Sequence, residues 1–572
     1  MEKIKSILLS EKLVLALIIL VGLYLRISGL DKVDGLWLDE IMSYDHAKNT
    51  FPWGIISDLC HNDFHAPLYY FILHFWLVLF GDNDLIIRSL SVLFGVLTIP
   101  VMYLAGKELH NKETGLLAAA FISINSFLIY YSQEVRFYSL LAFLGALSLL
   151  FLLKAKNKPD LKKYLSLTII NTCILCTVNI GFVFVFLEAL IFLMYLLIHK
   201  KEFKIFLYYQ LFTLILYLPC LPLLIHQSEM ASKSFIGVFS WIRFDYSSLL
   251  INIIQSWFSP VITDGIYNPA SYHKVVANAV HSGAYYVVLF IILPVICSVA
   301  TIRSAIKGDF TAFIVVFVFL FLSVGIIATL MGKFCLLARY TTPIIPLVTL
   351  CASYGFINFN NKQLSVVIVA FLIVMNLLYL IISPDSAFRI PRVEGLGTVS
   401  QYLNSLNLSN KDIIIMPYGG KYIGKYYPAG RAEILPLDIV SFKDNPDKQF
   451  DFFDRNLLKV LNKDNSYDLL RSYFADPQPS AIMDSYLRIN LVDKLDNSNY
   501  AVLVLTPALR EFDDRALRDI ASKNGIYKAT PIFGMLISKI TNDIIKINSH
   551  YLKFVSAKNI GIWTIVVFRK QV

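Results

Sequence analysis

Two adjacent carboxylates follow the first long apolar run of this 572-residue chain, in the sequence Trp37-Leu38-Asp39-Glu40. A carboxylate that faces a polar cleft is a suitable general base, because it can take the proton of an attacking hydroxyl or amine. Neighbouring residues on a helix do not share a face, so we expect Asp39 and Glu40 to have different roles. A second interpretation stays open, in which both acids complement the positive end of a helix dipole at a membrane surface.

A second polar stretch has the sequence HNDFHAPLYY and runs from His61 to Tyr70. Pro67 suits the first turn of a helix, and His65 would lie just before that helix. The two histidines and Asp63 are residue types that bind divalent cations, so such a cation is allowed here, but we assign no metal site. The alternative is a set of polar side chains that hydrate the start of a helix.

Two further polar motifs lie beside later apolar runs, and each contains an arginine. The motif YSQEVRFY holds Glu134 and Arg136, and the motif RYTTP begins with Arg339 and Tyr340. Charges near lipid are costly unless they are paired or face a polar cavity. An arginine beside a tyrosine at the interface suits a lipid phosphate. The alternatives are a local Glu134–Arg136 pair and an ordinary interfacial anchor at the second motif.

The composition predicts that these motifs are carried by membrane helices. Hydrophobic residues make up 56% of the chain and charged residues 16%, against about 25% charged in soluble proteins. Residues 385–572 nevertheless carry 45 of the 92 charged side chains. We therefore predict a polytopic α-helical membrane domain at 1–384 and an extracytoplasmic α/β domain at 385–572. Disordered, collagen-like and disulfide-stapled proteins are excluded, and the net charge of +10 does not indicate nucleic acid.

About twenty apolar residues are needed to cross a bilayer. About eleven runs qualify, at residues 13–30, 85–106, 114–131, 137–154, 164–180, 181–199, 204–225, 280–301, 310–331, 336–357 and 363–383. The shorter run 66–80 is predicted to lie in the interface, because only then do the Lys- and Arg-rich loops all fall inside the cytoplasm. The outer loop 31–84, with its interfacial helices, and the tail from 385 then share the extracytoplasmic side.

The tail and the cysteines give the remaining structural predictions. The pair Cys173/Cys176 has CxxC spacing inside an apolar run without a second pair, so we predict no metal or redox function for it. In the tail, β-branched and aromatic enrichment predicts strands, and helical patterning predicts helices. The strands are predicted at Asp412–Met416, Tyr500–Thr506 and Trp563–Phe568, and the helices at Thr398–Leu406, Asp451–Asn462 and Glu511–Lys523.

The four motifs, taken in this order, resemble those of the protein-mannosyltransferase-like membrane glycosyltransferases. These are the glycosyltransferase family 39 and aminoarabinose-transferase relatives of the GT-C fold. The resemblance covers about residues 10–385 and is best in 34–140. It implies a GT-C-like fold, a sugar donor carried on a polyprenyl phosphate, and a site that opens to the extracytoplasmic face.

The resemblance also implies roles for individual residues. Asp39 takes the place of the family's catalytic acid, with Glu40 beside it. The residues that would bind donor or substrate are His65, Tyr69, Glu134, Arg136, Tyr138, Arg339 and Tyr340. One departure is that the aminoarabinose transferases have Glu-Lys before the proline, where this chain has Phe64-His65. Their metal site or lysine clamp is therefore not expected, and a strictly aminoarabinose-specific role is disfavoured.

The chemistry of such a transfer requires one base for the acceptor proton and positive charge beside the departing phosphate. A single base that acts opposite the leaving group predicts inversion at the anomeric carbon. The expected partners are a polyprenyl-phosphate sugar, an acceptor that is a protein, lipid or glycan, and the bilayer of the cytoplasmic membrane. Two alternatives stay open: a ligase or polymerase that uses a whole lipid-linked oligosaccharide, and a lipid-linked sugar transporter or flippase.

Overall fold

The computed structural model describes most of the chain, in two units. The first unit comprises Met1–Lys32, Ser43–Ser232 and Ile242–Pro391, and the second comprises Val33–Met42, Lys233–Trp241 and Arg392–Val572. The described residues are 10–30, 35–36, 38–229, 253–259, 292–307, 309–331, 336–382, 396–416, 423, 425–427, 431–436, 495, 498–505, 552–560 and 563–570.

The described chain is helical up to residue 382. Its first helices are α1 Glu11–Ile27, α2 Leu38–Lys48, α3 Trp53–Asn62, α4 Leu68–Phe80, α5 Asp84–Leu109, α6 Lys112–Ile124, α7 Ser126–Ser132, α8 Tyr138–Asn157, α9 Leu161–Leu175, α10 Gly181–Ile198 and α11 Lys204–Tyr217. After α11, a 3-10 turn at Leu218–Cys220 leads into helical residues 221–229. The later helices are α12 Leu293–Lys307, α13 Asp309–Leu330, α14 Ile345–Ile357, preceded by the 3-10 segment Ala338–Ile344, and α15 Lys362–Ile382.

The predicted polytopic helical fold is confirmed, and the number of spans stays a prediction. Among the described residues, seven helices are long and apolar enough to cross a membrane, or eight if the bent pair α6 and α7 forms one span. The helices α1, α9 and α12 cover parts of predicted spans with only 15 to 17 residues each. The run predicted to lie in the interface forms α4, a shorter apolar helix of 13 residues.

The run predicted as a single span at 114–131 is broken at Asn125. The helices α6 and α7 meet there with a bend of 58°. The Asn125 side chain accepts a hydrogen bond from the Leu128 backbone N–H at 2.8 Å and donates to the Trp257 carbonyl at 2.8 Å. Asparagine is a favoured N-cap. The side chain therefore ends one helix and begins the next inside an otherwise continuous apolar run.

A fully buried arginine on α1 binds the carbonyls that this break leaves at the end of α6. The Arg26 guanidinium donates to the carbonyl oxygens of Ile122 at 3.1 Å and Ser123 at 3.0 Å, and its Nε donates to Ser132 Oγ at 3.2 Å. The last carbonyls of a helix have no partner within that helix. Arg26 therefore supplies their hydrogen bonds and ties both halves of the bent pair to α1.

The second unit contains a five-stranded sheet with strand order β2-β1-β3-β5-β4. Strand β1 runs parallel to its two neighbours, β2 and β3. Strand β5 runs antiparallel to its two neighbours, β3 and β4. The strands are β1 Ile413–Met416, β2 Glu433–Pro436, β3 Tyr500–Leu505, β4 Leu552–Ile560 and β5 Trp563–Lys570, and one helix, α16, covers Leu396–Ser405.

The predicted mixed α/β tail is confirmed in its described part. The three predicted strands correspond to β1, β3 and β5, and the helix predicted at 398–406 corresponds to α16. The strands β2 and β4 were not predicted, and both lie at the edges of the sheet. The helices predicted at 451–462 and 511–523 fall outside the described residues.

Replacing Arg26 should destabilise the bent pair. In an Arg26→Met variant, the carbonyls of Ile122 and Ser123 lose their donors, and each unsatisfied buried group costs about 1–3 kcal/mol. We expect a clear fall in melting temperature, measured by tryptophan fluorescence of the purified protein in detergent. The matched control is Lys162→Met, which removes an exposed cation; equal melting temperatures for the two variants would contradict this role of Arg26.

Candidate functional site

A buried carboxylate, Asp63, organises the loop between α3 and α4. Its side chain is only 4% exposed. One carboxylate oxygen, Oδ1, lies 2.5 Å from His65 Nδ1 and accepts from the Phe64 backbone N–H at 2.7 Å. The other, Oδ2, accepts from the Tyr70 hydroxyl at 2.6 Å. Asp63 therefore fixes both the histidine before α4 and a tyrosine in its first turn.

A second histidine, His46 on α2, bridges two carboxylates. Its Nδ1 is 2.7 Å from Asp58 Oδ2, and its Nε2 is 3.4 Å from Asp63 Oδ2. Burial alone would lower the pKa of His46, but the hydrogen bonds and charges of Asp58 and Asp63 outweigh it and raise the pKa to about 9. For Asp63 the effect of burial has the opposite sign and would raise the pKa, but the charges and hydrogen bonds of His65 and His46 hold that pKa well below its ordinary value. The cluster is thus a buried group of opposite charges.

Arg136 connects α2 with the loop before α8. Its Nη1 donates to Ser43 Oγ on α2 at 3.2 Å, and its guanidinium lies 5.8 Å from the Phe137 ring. The Arg136 carbonyl accepts from Ser91 Oγ at 3.4 Å, and that hydroxyl is 3.2 Å from the Tyr69 hydroxyl. Two residues predicted from separate motifs, Tyr69 and Arg136, are therefore linked through a serine of α5.

The second predicted arginine, Arg339, lies among aromatic rings. Its guanidinium is 5.9 Å from the Tyr138 ring and 5.7 Å from the Tyr340 ring, within the range of cation–π attraction. The Tyr138 ring in turn contacts Tyr131 edge-on at 4.6 Å. The buried Tyr131 hydroxyl has no hydrogen-bond partner among the described residues, so a polar donor is available at this aromatic cluster.

The segment that carries Arg339 is positioned by two close contacts. The Trp257 indole N–H donates to Thr341 Oγ1 at 3.0 Å, and the Trp257 carbonyl accepts from Asn125 at the break between α6 and α7. On α8, a side chain at Gly145 would collide with the backbone of Pro343. Only glycine permits α8 to approach the 3-10 segment this closely, seven residues after the Tyr138 that faces Arg339.

Two elements far along the chain hold the Asp63 loop in place. Gln227 donates through Nε2 to the carbonyls of Asp63 at 3.2 Å and His65 at 3.0 Å. The turn after α9 makes two more bonds: Asn179 Nδ2 donates to the Phe64 carbonyl at 2.8 Å, and the Cys176 carbonyl accepts from Leu68 N–H at 2.8 Å. The loop backbone is thus bound from two sides.

Seven of the nine predicted site residues lie in the first unit and belong to one connected cluster, in which all but the half-buried His65 are buried. The His65 ring is 4.8 Å from the Phe137 ring, which links the Asp63 loop to the motif after α7. The Glu134 carbonyl accepts from the Arg136 N–H at 2.8 Å. The seven are His65, Tyr69, Glu134, Arg136, Tyr138, Arg339 and Tyr340. Sequence reasoning missed His46, Asp58, Ser91, Gln227 and Trp257, which lie outside recognisable motifs.

The two acidic residues predicted to be catalytic lie in the first turn of α2, in the segment assigned to the second unit. Asp39 is partly exposed and Glu40 is buried. Along a helix, Asp39 shares a face with Ser43 and His46, at spacings of four and seven residues. Their convergence with the cluster of the first unit stays a prediction.

The described residues contain no group of three or more His, Cys, Asp or Glu side chains that could hold a metal ion. His61, Asp63 and His65, the residues that the sequence allowed as ligands of a divalent cation, have different partners. The His61 ring is exposed and lies 2.7 Å from the Ser57 carbonyl, whereas the His65 ring contacts Asp63.

A family model described as dolichyl-phosphate-mannose-protein mannosyltransferase matches residues 64–226. The resemblance predicted from the motifs is confirmed over this segment, which includes His65, Tyr69, Glu134, Arg136 and Tyr138. No curated protein matches the chain by sequence.

The chain is also similar to solved structures at low identity. ArnT from Cupriavidus metallidurans bound to undecaprenyl phosphate is 10% identical with a TM-score of 0.49, over 96% of this chain and 97% of that one. The oligosaccharyltransferase of Archaeoglobus fulgidus, tethered with an acceptor peptide containing the NVT sequon, is 12% identical with a TM-score of 0.48, over 98% of this chain and 88% of that one.

The charge on His46 should make stability depend on pH. The pKa of His46 in the folded protein, about 9, exceeds the ordinary value of 6.5. The stabilisation of the fold by the protonated His46 is therefore complete below pH 6.5 and is lost as the pH rises to about 9. The difference between these two pKa values corresponds to roughly 3 kcal/mol in the free energy of unfolding. We expect the melting temperature of the wild type to fall over this window and that of His46→Gln to start lower and stay flatter. Parallel curves for the two proteins would contradict the assignment.

Proposed function

We propose that the chain is a glycosyltransferase of the cytoplasmic membrane, which moves a sugar from a polyprenyl-phosphate donor to a hydroxyl or amine outside the cytoplasm. The observation that carries the proposal is the single buried cluster formed by residues from three separate motifs, within and beyond the segment that matches the mannosyltransferase family. Motifs that served only as helix caps or membrane anchors would not need to meet.

The donor phosphate is proposed to bind between Arg136 and Arg339. Both guanidinium groups are largely buried, so an anion bound beside them would be shielded from water and held by charge-assisted hydrogen bonds. Arginine presents several N–H donors in a plane that matches phosphate oxygens. The Tyr131 hydroxyl offers one further donor to a ligand oxygen. Glu134 and Tyr340 would shape the pocket around the sugar.

In the proposed reaction, Asp39 takes the proton of the acceptor as the acceptor oxygen or nitrogen attacks the anomeric carbon. The bond from that carbon to the phosphate oxygen breaks, and its electron pair leaves with the lipid phosphate. Positive charge beside this oxygen stabilises the departing anion in a site that excludes water. Because attack and departure occur on opposite faces of the sugar, the product has inverted configuration. Glu40 would orient Asp39 or the acceptor.

His65 is proposed to act on the phosphate as an imidazolium, in which both ring nitrogens carry a proton. Its Nδ1–H donates to Asp63, which fixes the orientation of the ring, and its Nε2–H is then directed at another partner. A histidine held by a buried carboxylate supplies a hydrogen-bond donor of defined direction. Here it stands directly before the helix that carries Tyr69.

The alternative most similar to the proposed function is a ligase or polymerase that uses a whole oligosaccharide on the lipid, since the same phosphate site would bind its donor.

A function as a transporter is less favoured than either of these. Its best intramembrane candidate, Glu188, is bound by Ser148 and by Asn171 Nδ2, the latter at 3.0 Å, so this carboxylate joins three helices.

Asp39→Asn should abolish sugar transfer. Loss of a general base typically costs about 10²–10⁴-fold in rate, and the exchange keeps the size of the side chain. The assay is sugar release from radiolabelled polyprenyl-phosphate hexoses and pentoses by the purified protein in lipid. Asp45→Asn, on the same helix, is the matched control and should keep wild-type turnover.

The outcomes of this assay are distinct. Near-normal turnover by the Asp39→Asn variant would refute its role as base. If the wild type, intact and supplied with acceptors, turned over no monosaccharide donor, the oligosaccharide-lipid alternative would replace the proposal.

Asp63→Asn and His65→Gln should each lower turnover by about 10²-fold, the typical cost of removing one donor to a developing anion. Because both act on the leaving group, the double variant should lose little more than either single variant. His61→Gln, an exposed histidine of α3 bound to its own helix, is the control. Losses that multiply in the double variant would show that the two residues act independently.

A further inference from the structure

Two cysteines from distant parts of the chain contact each other. Cys176 Sγ and Cys220 Sγ are 3.6 Å apart, although the residues are 44 positions apart in sequence. Cys176 is the residue that ends α9, and Cys220 closes the 3-10 turn after α11. Both side chains are half-buried and both thiols are free. The CxxC spacing relates Cys176 to Cys173, a pair for which we predict no metal or redox function, but the sulfur contact of Cys176 is with Cys220.

The same two elements hold the Asp63 loop. The turn that begins at Cys176 binds the loop through the Leu68 N–H and the Phe64 carbonyl. The helical segment that follows Cys220 binds it through Gln227, which donates to the carbonyls of Asp63 and His65. A bond between the two cysteines would therefore join the two supports of the loop that orients His65.

We infer that Cys176 and Cys220 form a reversible disulfide that clamps the Asp63–His65 loop. A disulfide requires the sulfurs to approach to about 2.05 Å. Cys176 lies at the end of α9, and Cys220 lies in the 3-10 turn that interrupts the long apolar helix 204–229, so at both positions the backbone leaves the regular α-helix. By the predicted topology, both lie in the extracytoplasmic halves of their spans, toward the side where disulfides persist.

The oxidant is a small-molecule or protein disulfide. The thiolate of one cysteine attacks this disulfide and forms a mixed disulfide, and the second cysteine then displaces the remaining thiol. One Cys176–Cys220 bond forms, the oxidant's disulfide is reduced to two thiols, and the two protons of the cysteines are transferred to those thiols.

The test uses the full chain in lipid, incubated with oxidised or reduced glutathione, denatured, and labelled with a maleimide reagent that adds mass to each free thiol. The chain has seven cysteines, so the oxidised wild type should take up two labels fewer than the reduced protein. Peptide mass spectrometry should find the 176–220 cross-link. Cys173→Ser should retain it, and Cys176→Ser and Cys220→Ser should lose it. A 173–176 link, or full labelling after oxidation, would overturn the inference.

A second measurement tests the clamp itself. Oxidation should raise the melting temperature of the wild type and of Cys173→Ser, and reduction should reverse the rise, whereas Cys176→Ser and Cys220→Ser should not respond. A bond that forms without any rise would refute the clamp. Bond formation does not depend on the proposed function, so absent sugar transfer in a cross-linked protein would count against the proposed function alone.

Discussion

The arrangement of the site depends on the need to compensate a buried carboxylate. Asp63 is removed from water, and a charge in such a place persists only with several charge-assisted hydrogen bonds or opposite charges around it. Here they come from His46 on α2, from His65 in the loop and from Tyr70 on α4. Because each partner lies on a different segment, satisfying one carboxylate brings these segments together. The contacts of this carboxylate act together with the hydrogen bonds that Gln227 and Asn179 make to the loop backbone.

Among the apolar helices, Arg26 provides a comparable compensation, here for backbone carbonyls that lack a hydrogen-bond partner. A break in a helix inside a bilayer leaves carbonyls that water cannot reach. The break at Asn125 is tolerated because Arg26 binds the carbonyls at the end of α6 and the hydroxyl of Ser132. The break also lets the chain turn before Glu134 and Arg136. A fully buried arginine on α1 thus stabilises the bent segment that precedes the polar motif of the cluster, although it lies outside that motif.

Sequence alone predicted the helical membrane class and the mixed tail, because hydropathy reports directly on burial in lipid. It also identified seven residues that the structure brings into one cluster, and the roles of the four motifs stay a prediction. It did not predict the break at Asn125, since a single asparagine hardly changes the hydropathy of a long apolar run. It also missed His46 and Gln227, which are single polar residues whose importance comes from partners elsewhere in the chain. Gln227 and its partner Asp63, for example, are 164 positions apart. Contacts of this kind depend on tertiary packing, which a local pattern does not contain.

Under the proposed function, α2 carries both the proposed base and a hydrogen-bond partner of the arginine proposed to hold the phosphate. Asp39 precedes Ser43 by four residues on one helix, which corresponds to about 6 Å along the axis. Ser43 accepts the hydrogen bond of Arg136, the arginine proposed to hold the phosphate. In an inverting transfer, the base and the leaving group lie on opposite sides of the sugar ring, so they must be separated by roughly the span of the ring and the attacking group. A helix keeps the spacing of Asp39 and Ser43 more constant than a loop would, because its hydrogen bonds resist stretching. The same helix carries His46, whose pairing with Asp58 and Asp63 holds the part of α2 that carries Ser43.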